Sequence, residues 1–99
     1  MGTGNDNWKA VIEERGRAGI IRYMEDGNEV RFDWEFGGGD SIVFIWGPKE
    51  TGWDDKYPWA AGRRHQVYER VGESVIAQKA PSCKVKLDLD AGTIDLYKP

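Results

Sequence analysis

The run Trp46 to Trp59, WGPKETGWDDKYPW, places three tryptophans, a tyrosine and three carboxylates within 14 residues. Aromatic faces stack on sugars, bases and cations. Carboxylates bind cations, meet basic side chains or serve as general acid and base. Glu50, Trp53, Asp54, Asp55, Tyr57 and Trp59, with Arg63 and Arg64 just downstream, therefore form the candidate binding set. Clustered Trp, Tyr and Arg are typical of binding hot spots, which favours contact with a partner, expected to be a protein. The second reading is an enzyme or small-ligand protein with a pocket between residues 47–58 and the sheet, walled by Trp53, Tyr57 and Trp59.

Each of these residues also has a purely structural use. Trp53 and Trp59 suit a plug that closes one end of a sheet–helix sandwich. Asp54 and Asp55 suit the positive end of a helix. Arg64 falls near the middle of the apolar helix face, where an unpaired guanidinium is costly, so an ion pair with the acids of the aromatic loop is expected. Trp34 and Trp46 fall at strand parities that read as core.

No catalytic residue is assigned. Acid–base work needs two carboxyl groups whose surroundings split their pKa values, and spacing alone defines no such pair. His65, the single histidine, lies at the edge of the apolar helix face one turn before Glu69, and Cys83 sits in a Pro-Ser-Cys-Lys turn without a nucleophile motif. The loop lacks the alternating oxygen ligands and closing glutamate of a calcium loop, so no metal is expected. Gly37-Gly-Gly39 joins two strands, which suits a hairpin better than a phosphate cradle, and no cofactor is expected.

The elements that must position these residues can be read from periodicity. Val30, Phe32, Trp34 and Phe36 alternate with Glu29, Arg31, Asp33 and Glu35, the pattern of a strand with one buried face. A two-residue turn at Asp26-Gly27 sets Tyr23 opposite Val30 and Ile21 opposite Phe32. Trp8 to Glu14 is ambiguous between a short helix and a strand, and an edge strand is favoured because a two-turn helix is marginal. Ser41 to Trp46 has no exposed parity and reads as a central strand covered on part of both faces.

A helix is expected from about Trp59 to Lys79, stopped by Ala80-Pro81. Gly72 borders its apolar face, where it could permit close approach. The tail reads as a hairpin whose turn at Ala91-Gly92 pairs Leu89 with Ile94 and Leu87 with Leu96. The order is β-β-β-β-α-β-β: an α+β domain over residues 8–99 whose antiparallel meander of three to four strands and C-terminal hairpin carry one long helix on one face, after a flexible segment at residues 1–7.

Composition bounds the rest. Ninety-nine residues suffice for one core. Fourteen Lys and Arg against 17 Asp and Glu give a net charge of −3. No field attracts a polyanion, and the outward Glu29, Asp33 and Glu35 are acidic, so nucleic acid is not an expected partner. No run approaches the roughly 20 apolar residues of a bilayer span, and no membrane association is expected. One cysteine allows no intrachain disulfide, which fits the cytoplasm. An exposed sheet edge offers a route to a homodimer.

Overall fold

The computed structural model describes residues 7–37 and 41–99. Six strands form a single antiparallel sheet: β1 (Trp8–Arg15), β2 (Ala18–Glu25), β3 (Asn28–Phe36), β4 (Ser41–Trp46), β5 (Lys84–Asp88) and β6 (Thr93–Tyr97), in the order β1-β2-β3-β4-β6-β5. Between β4 and β5 come a four-residue helix, α1 (Trp53–Lys56), a 3-10 turn (Pro58–Ala60) and the long helix α2 (Arg64–Lys79). The fold is α+β with α2 lying on one sheet face, against β1, β2, β5 and β6.

The meander follows from alternation and turn chemistry. Tyr23 pairs with Val30 and Ile21 with Phe32, the register a two-residue Asp26-Gly27 turn requires. Their side chains, with Trp34, Val43 and Ile45, form the covered face, and Val67, Tyr68, Val71 and Val75 of α2 close over it. Trp8–Arg15 is a strand and lies at one edge, with β5 at the other. Its extended form is stabilised by the full ladder to β2, from Trp8 opposite Glu25 to Arg15 opposite Ala18. Backbone groups left for self-association by the edge route therefore belong to β1 and β5. The expected flexible segment falls, except for Asn7, outside the described residues, as do Gly38 to Asp40 of the second turn.

Four expectations are corrected. The long helix begins at Arg64 rather than Trp59, because Gly62 adopts φ +74°, a left-handed conformation that interrupts helical hydrogen bonding after the Pro58–Ala60 turn. The C-terminal hairpin turns through Leu89 to Gly92 and pairs Leu87 with Ile94 and Val85 with Leu96. The slip is two residues, so every side chain keeps its face.

Phe36, at the end of β3, is 43 % exposed, and Trp46 is 37 % exposed. β4 pairs with β3 in regular register, with Ile45 opposite Trp34 and Trp46 opposite Asp33, so Trp46 takes the outward parity of Asp33, while Phe36 keeps the inward parity of Trp34 and is exposed by its place at the strand end. Val43 and Ile45 are buried, while Phe44 and Trp46 stand on the opposite face, their rings 6.0 Å apart. No helix covers that face among the described residues.

Gly72 is buried in α2 at the crossing of the C-terminal hairpin. A Cβ there would come within 2.8 Å of Val85 Cγ2, so the close approach depends on its absence.

Candidate functional site

The aromatic segment divides its residues between core and solvent. Trp53, in the first turn of α1, is 2 % exposed, and its indole N–H donates to Ala60 O at 2.9 Å. Its ring lies 4.7 Å from Tyr57, which meets Trp59 edge-on at 6.2 Å. Trp59 stacks in turn on Tyr23 at 6.5 Å, and Tyr23 on Trp8 at 5.8 Å. A ladder of five rings thus runs from α1 to the edge strand, and the plug expected of Trp53 and Trp59 is what these rings build. The segment folds this way because a stretch this rich in glycine and proline has few regular hydrogen bonds of its own and is held by its large side chains.

The acids face the other way. Glu50, Asp54 and Asp55 are exposed, and Asp54 Oδ1 accepts the Gly62 N–H at 3.0 Å. Asp54 and Asp55 occupy the first turn of α1, not of the long helix. With Asp90 from the C-terminal hairpin they rim an open cleft of about 510 Å³, whose walls also include Trp53, Arg64 and His65. Asp90 has no neighbour among the candidates in sequence, and only the return of the hairpin beside α2 brings it in.

Arg64 is buried, yet no carboxylate among the described residues pairs with it, contrary to the expected ion pair with the loop acids. Its Nε and Nη2 donate to Pro48 O at 3.1 and 3.0 Å, and Nη1 donates to Leu89 O at 2.9 Å. The guanidinium lies 4.7 Å from the centre of the Tyr68 ring, and the Tyr68 hydroxyl donates to Pro48 O at 2.7 Å. Burial pushes the Tyr68 phenol above its ordinary pKa, against the lowering influence of Arg64. A planar fork with five donors can reach two carbonyls on separate loops, which an ammonium cannot do with the same geometry. Arg64 ties the chain leaving β4 to the β5–β6 turn and to α2.

Arg63, one residue earlier, leaves the cleft altogether. Its Nη2 donates to Glu25 Oε2 at 2.8 Å and to Trp59 O at 2.8 Å, and its Nη1 reaches Gln66 Oε1 at 2.8 Å. Arg70 Nη1 donates to the Tyr23 hydroxyl at 2.8 Å, which donates to Glu25 Oε1 at 2.6 Å. The Arg70 guanidinium also lies over Trp8, 5.0 Å from its ring centre. Burial tends to raise the Glu25 pKa, but hydrogen bonds from Arg63 and Tyr23 and the two guanidinium charges outweigh it and hold the carboxyl below the usual range. Burial and the bond to Glu25 raise the Tyr23 phenol.

This Glu25 cluster is absent from the sequence reading, although a signal for it exists. Glu25 shares strand parity with Ile21 and Tyr23 and so stands on the helix-covered face, where a carboxylate requires a cation. Arg63 and Arg70 are seven residues apart, close to two helical turns.

Of the candidate set, then, Glu50, Asp54 and Asp55 gather at the cleft with Trp53 and Arg64 as wall. Tyr57 and Trp59 belong to the ring ladder, and Arg63 to the Glu25 cluster. His65 is exposed, with Nε2 3.7 Å from Glu69 Oε2, and Cys83 is buried. No group of three or more His, Cys, Asp or Glu with metal-binding geometry occurs among the described residues, and no helix there is long and apolar enough to cross a membrane. No protein-family model, curated protein or solved structure matches the chain.

Proposed function

We propose that this chain is a small non-catalytic interaction protein whose acidic cleft receives a basic segment of a partner protein. The observation that carries this reading is the cleft itself: carboxylates of Glu50, Asp54, Asp55 and Asp90 around a concavity of about 510 Å³, with one guanidinium in its wall. That guanidinium, of Arg64, is engaged by Pro48 O and Leu89 O, so it is held away from the rim acids. A lysine or arginine side chain entering the cleft meets an excess of negative charge, which favours encounter and orientation of a basic partner.

Preorganisation supports the same reading. Trp53 locks α1 to the Pro58–Ala60 turn, and Asp54 bonds to Gly62, so the rim is set before a partner arrives and little ordering entropy remains to be lost. The aromatic rings act here as scaffold, and contact falls to the acids. An enzyme or small-ligand pocket between residues 47–58 and the sheet is less well supported, because Trp53 and Tyr57 fill that space and the acids point into solvent. The negative rim also opposes nucleic acid.

The test is titration of the protein with a hexalysine peptide, followed by calorimetry at low and at high salt. Binding at low salt that weakens by about an order of magnitude or more in the triple variant E50Q/D54N/D55N, with the melting temperature little changed, is expected. Equal binding by the variant, or no salt dependence, overturns the proposal.

A further inference from the structure

At the opposite end of α2 from the acidic cleft, the sheet and helix separate enough to leave an apolar cavity of about 170 Å³. Its interior is formed by Ile21, Trp34, Val43 and Val75, all buried, and by Ala80, the residue that ends α2. The small side chain of Ala80 contributes to the space. The hollow opens to solvent at its rim, and its inner walls are apolar side chains. Water gains nothing there, since it needs two to four polar partners and the walls offer almost none.

The rim differs from the interior. Phe36 and Ile42, from the two ends of the β3–β4 connection, extend the apolar lining outward, and Phe36 is the most exposed of the large apolar side chains described. Its ring meets Trp34 edge-on at 5.4 Å, and the connection is held by the Gly37 N–H to Ile42 O bond at 3.0 Å. A continuous apolar path therefore leads from solvent, past Phe36, to Trp34. Across the rim Lys79 of α2 pairs with Glu14 of β1, both about half exposed, at 48 % and 50 %. These two charges satisfy each other, so the mouth offers a donor and an acceptor without an excess of either sign.

We propose that this cavity is a binding site for a neutral, single-ring or fused-ring apolar molecule carrying one hydrogen-bonding group. The volume sets the size: it is comparable to the roughly 150 Å³ of an apolar cavity that holds benzene, and well below the range of drug-sized sites. Trp34 and Phe36 supply edge and face for an aromatic ring. The balanced Glu14–Lys79 pair sets the head group, because a carboxylate or an ammonium would have to break that pair, whereas a neutral N–H or O–H adds to it. The site is separate from the acidic cleft and shares no residue with it.

Indole is the probe. In a nuclear magnetic resonance titration of the ¹⁵N-labelled protein, indole is expected to shift the amides of Ile21, Val43, Val75 and Ala80 saturably, with half-saturation near ~1 mM, as befits so few atoms. The variant A80L, which fills the cavity from within, should weaken binding by about tenfold or more while holding or raising the melting temperature. I42F, which narrows the rim and leaves the interior intact, decides the matter if A80L does not fold. Shifts that fail to saturate, that centre on Trp46 and the open sheet face, or that persist undiminished in the folded variants overturn the proposal.

Discussion

Arg63 turns its guanidinium towards β2 and closes on the carboxylate of Glu25, with Arg70 and Tyr23 completing the cluster, whereas Arg64 turns towards Pro48 and Leu89 and binds only carbonyls and Tyr68. The first arrangement is an ion pair in a partly buried setting, sensitive to the protonation of one group. The second is a set of charge-assisted hydrogen bonds to neutral acceptors, whose one titratable member, the Tyr68 phenol, stays protonated throughout the acid range. Both fasten the start of α2, one to the sheet and one to two loops. Identical side chains at adjacent positions thus make different interactions because Arg63 precedes α2 with a non-helical backbone while Arg64 is its first helical residue, so the two side chains leave towards different neighbours.

The largest effect should come from breaking the second arrangement. R64A removes three donors and leaves the Pro48 and Leu89 carbonyls underbonded, with loss of the packing over Tyr68. Hydrogen bonds to charged groups contribute about 1.5–3 kcal/mol each, not additively, so a loss of about 3–4 kcal/mol is expected in urea denaturation. R64K should recover only a minor part, because an ammonium cannot span the two carbonyls as a fork does. Full recovery by lysine would show that charge alone, and not the fork, is what the site uses.

Breaking the first arrangement should cost less at neutral pH and should depend on pH. E25Q is expected to lose about 2 kcal/mol at pH 7, below the range for a fully buried pair because the cluster is partly exposed. The folded-state pKa of Glu25 lies below its unfolded value, so its stabilisation is present in full above the ordinary carboxylate range and disappears as pH falls through the folded value. Wild type and E25Q should therefore draw together in stability as pH falls below about 5, while R64A stays separated from wild type over the same interval. A constant E25Q difference down to pH 3 would remove the contrast between the two arginines.

The smallest effect is a coupling energy. Arg63 and Arg64 share no hydrogen-bond partner, so in a double-mutant cycle R63A and R64A should add to within about 0.5 kcal/mol, despite being adjacent. A larger coupling would mean that the two fastenings stabilise α2 as one unit.

Much of the fold follows from local chemistry. The Asp-Gly turn and the alternation from Val30 to Trp34 specify the β2–β3 register, because a one-residue slip would turn every buried ring to solvent. The C-terminal hairpin shows the limit of such reasoning: a slip of two preserves every face, so alternation cannot distinguish a turn at Ala91-Gly92 from the longer one through Leu89 to Gly92. Trp46 shows another, since an unbroken apolar run has no alternation of its own and only the pairing of Trp46 with Asp33 assigns it to the uncovered face.

The run from Trp46 to Trp59 was recognisable as the unusual segment from its residue types, and its acids do rim a cleft. The sequence determined which side chains were available there and that buried rings and a buried arginine would need partners. Only the tertiary structure decided which partners: that Trp53 bonds to Ala60, that Arg64 takes backbone carbonyls in place of carboxylates, and that Asp90, some 35 residues away, joins Asp55. Any backbone carbonyl can accept a hydrogen bond and every residue carries one, so the choice of acceptor leaves no trace in residue identity and is made by the path of the folded chain.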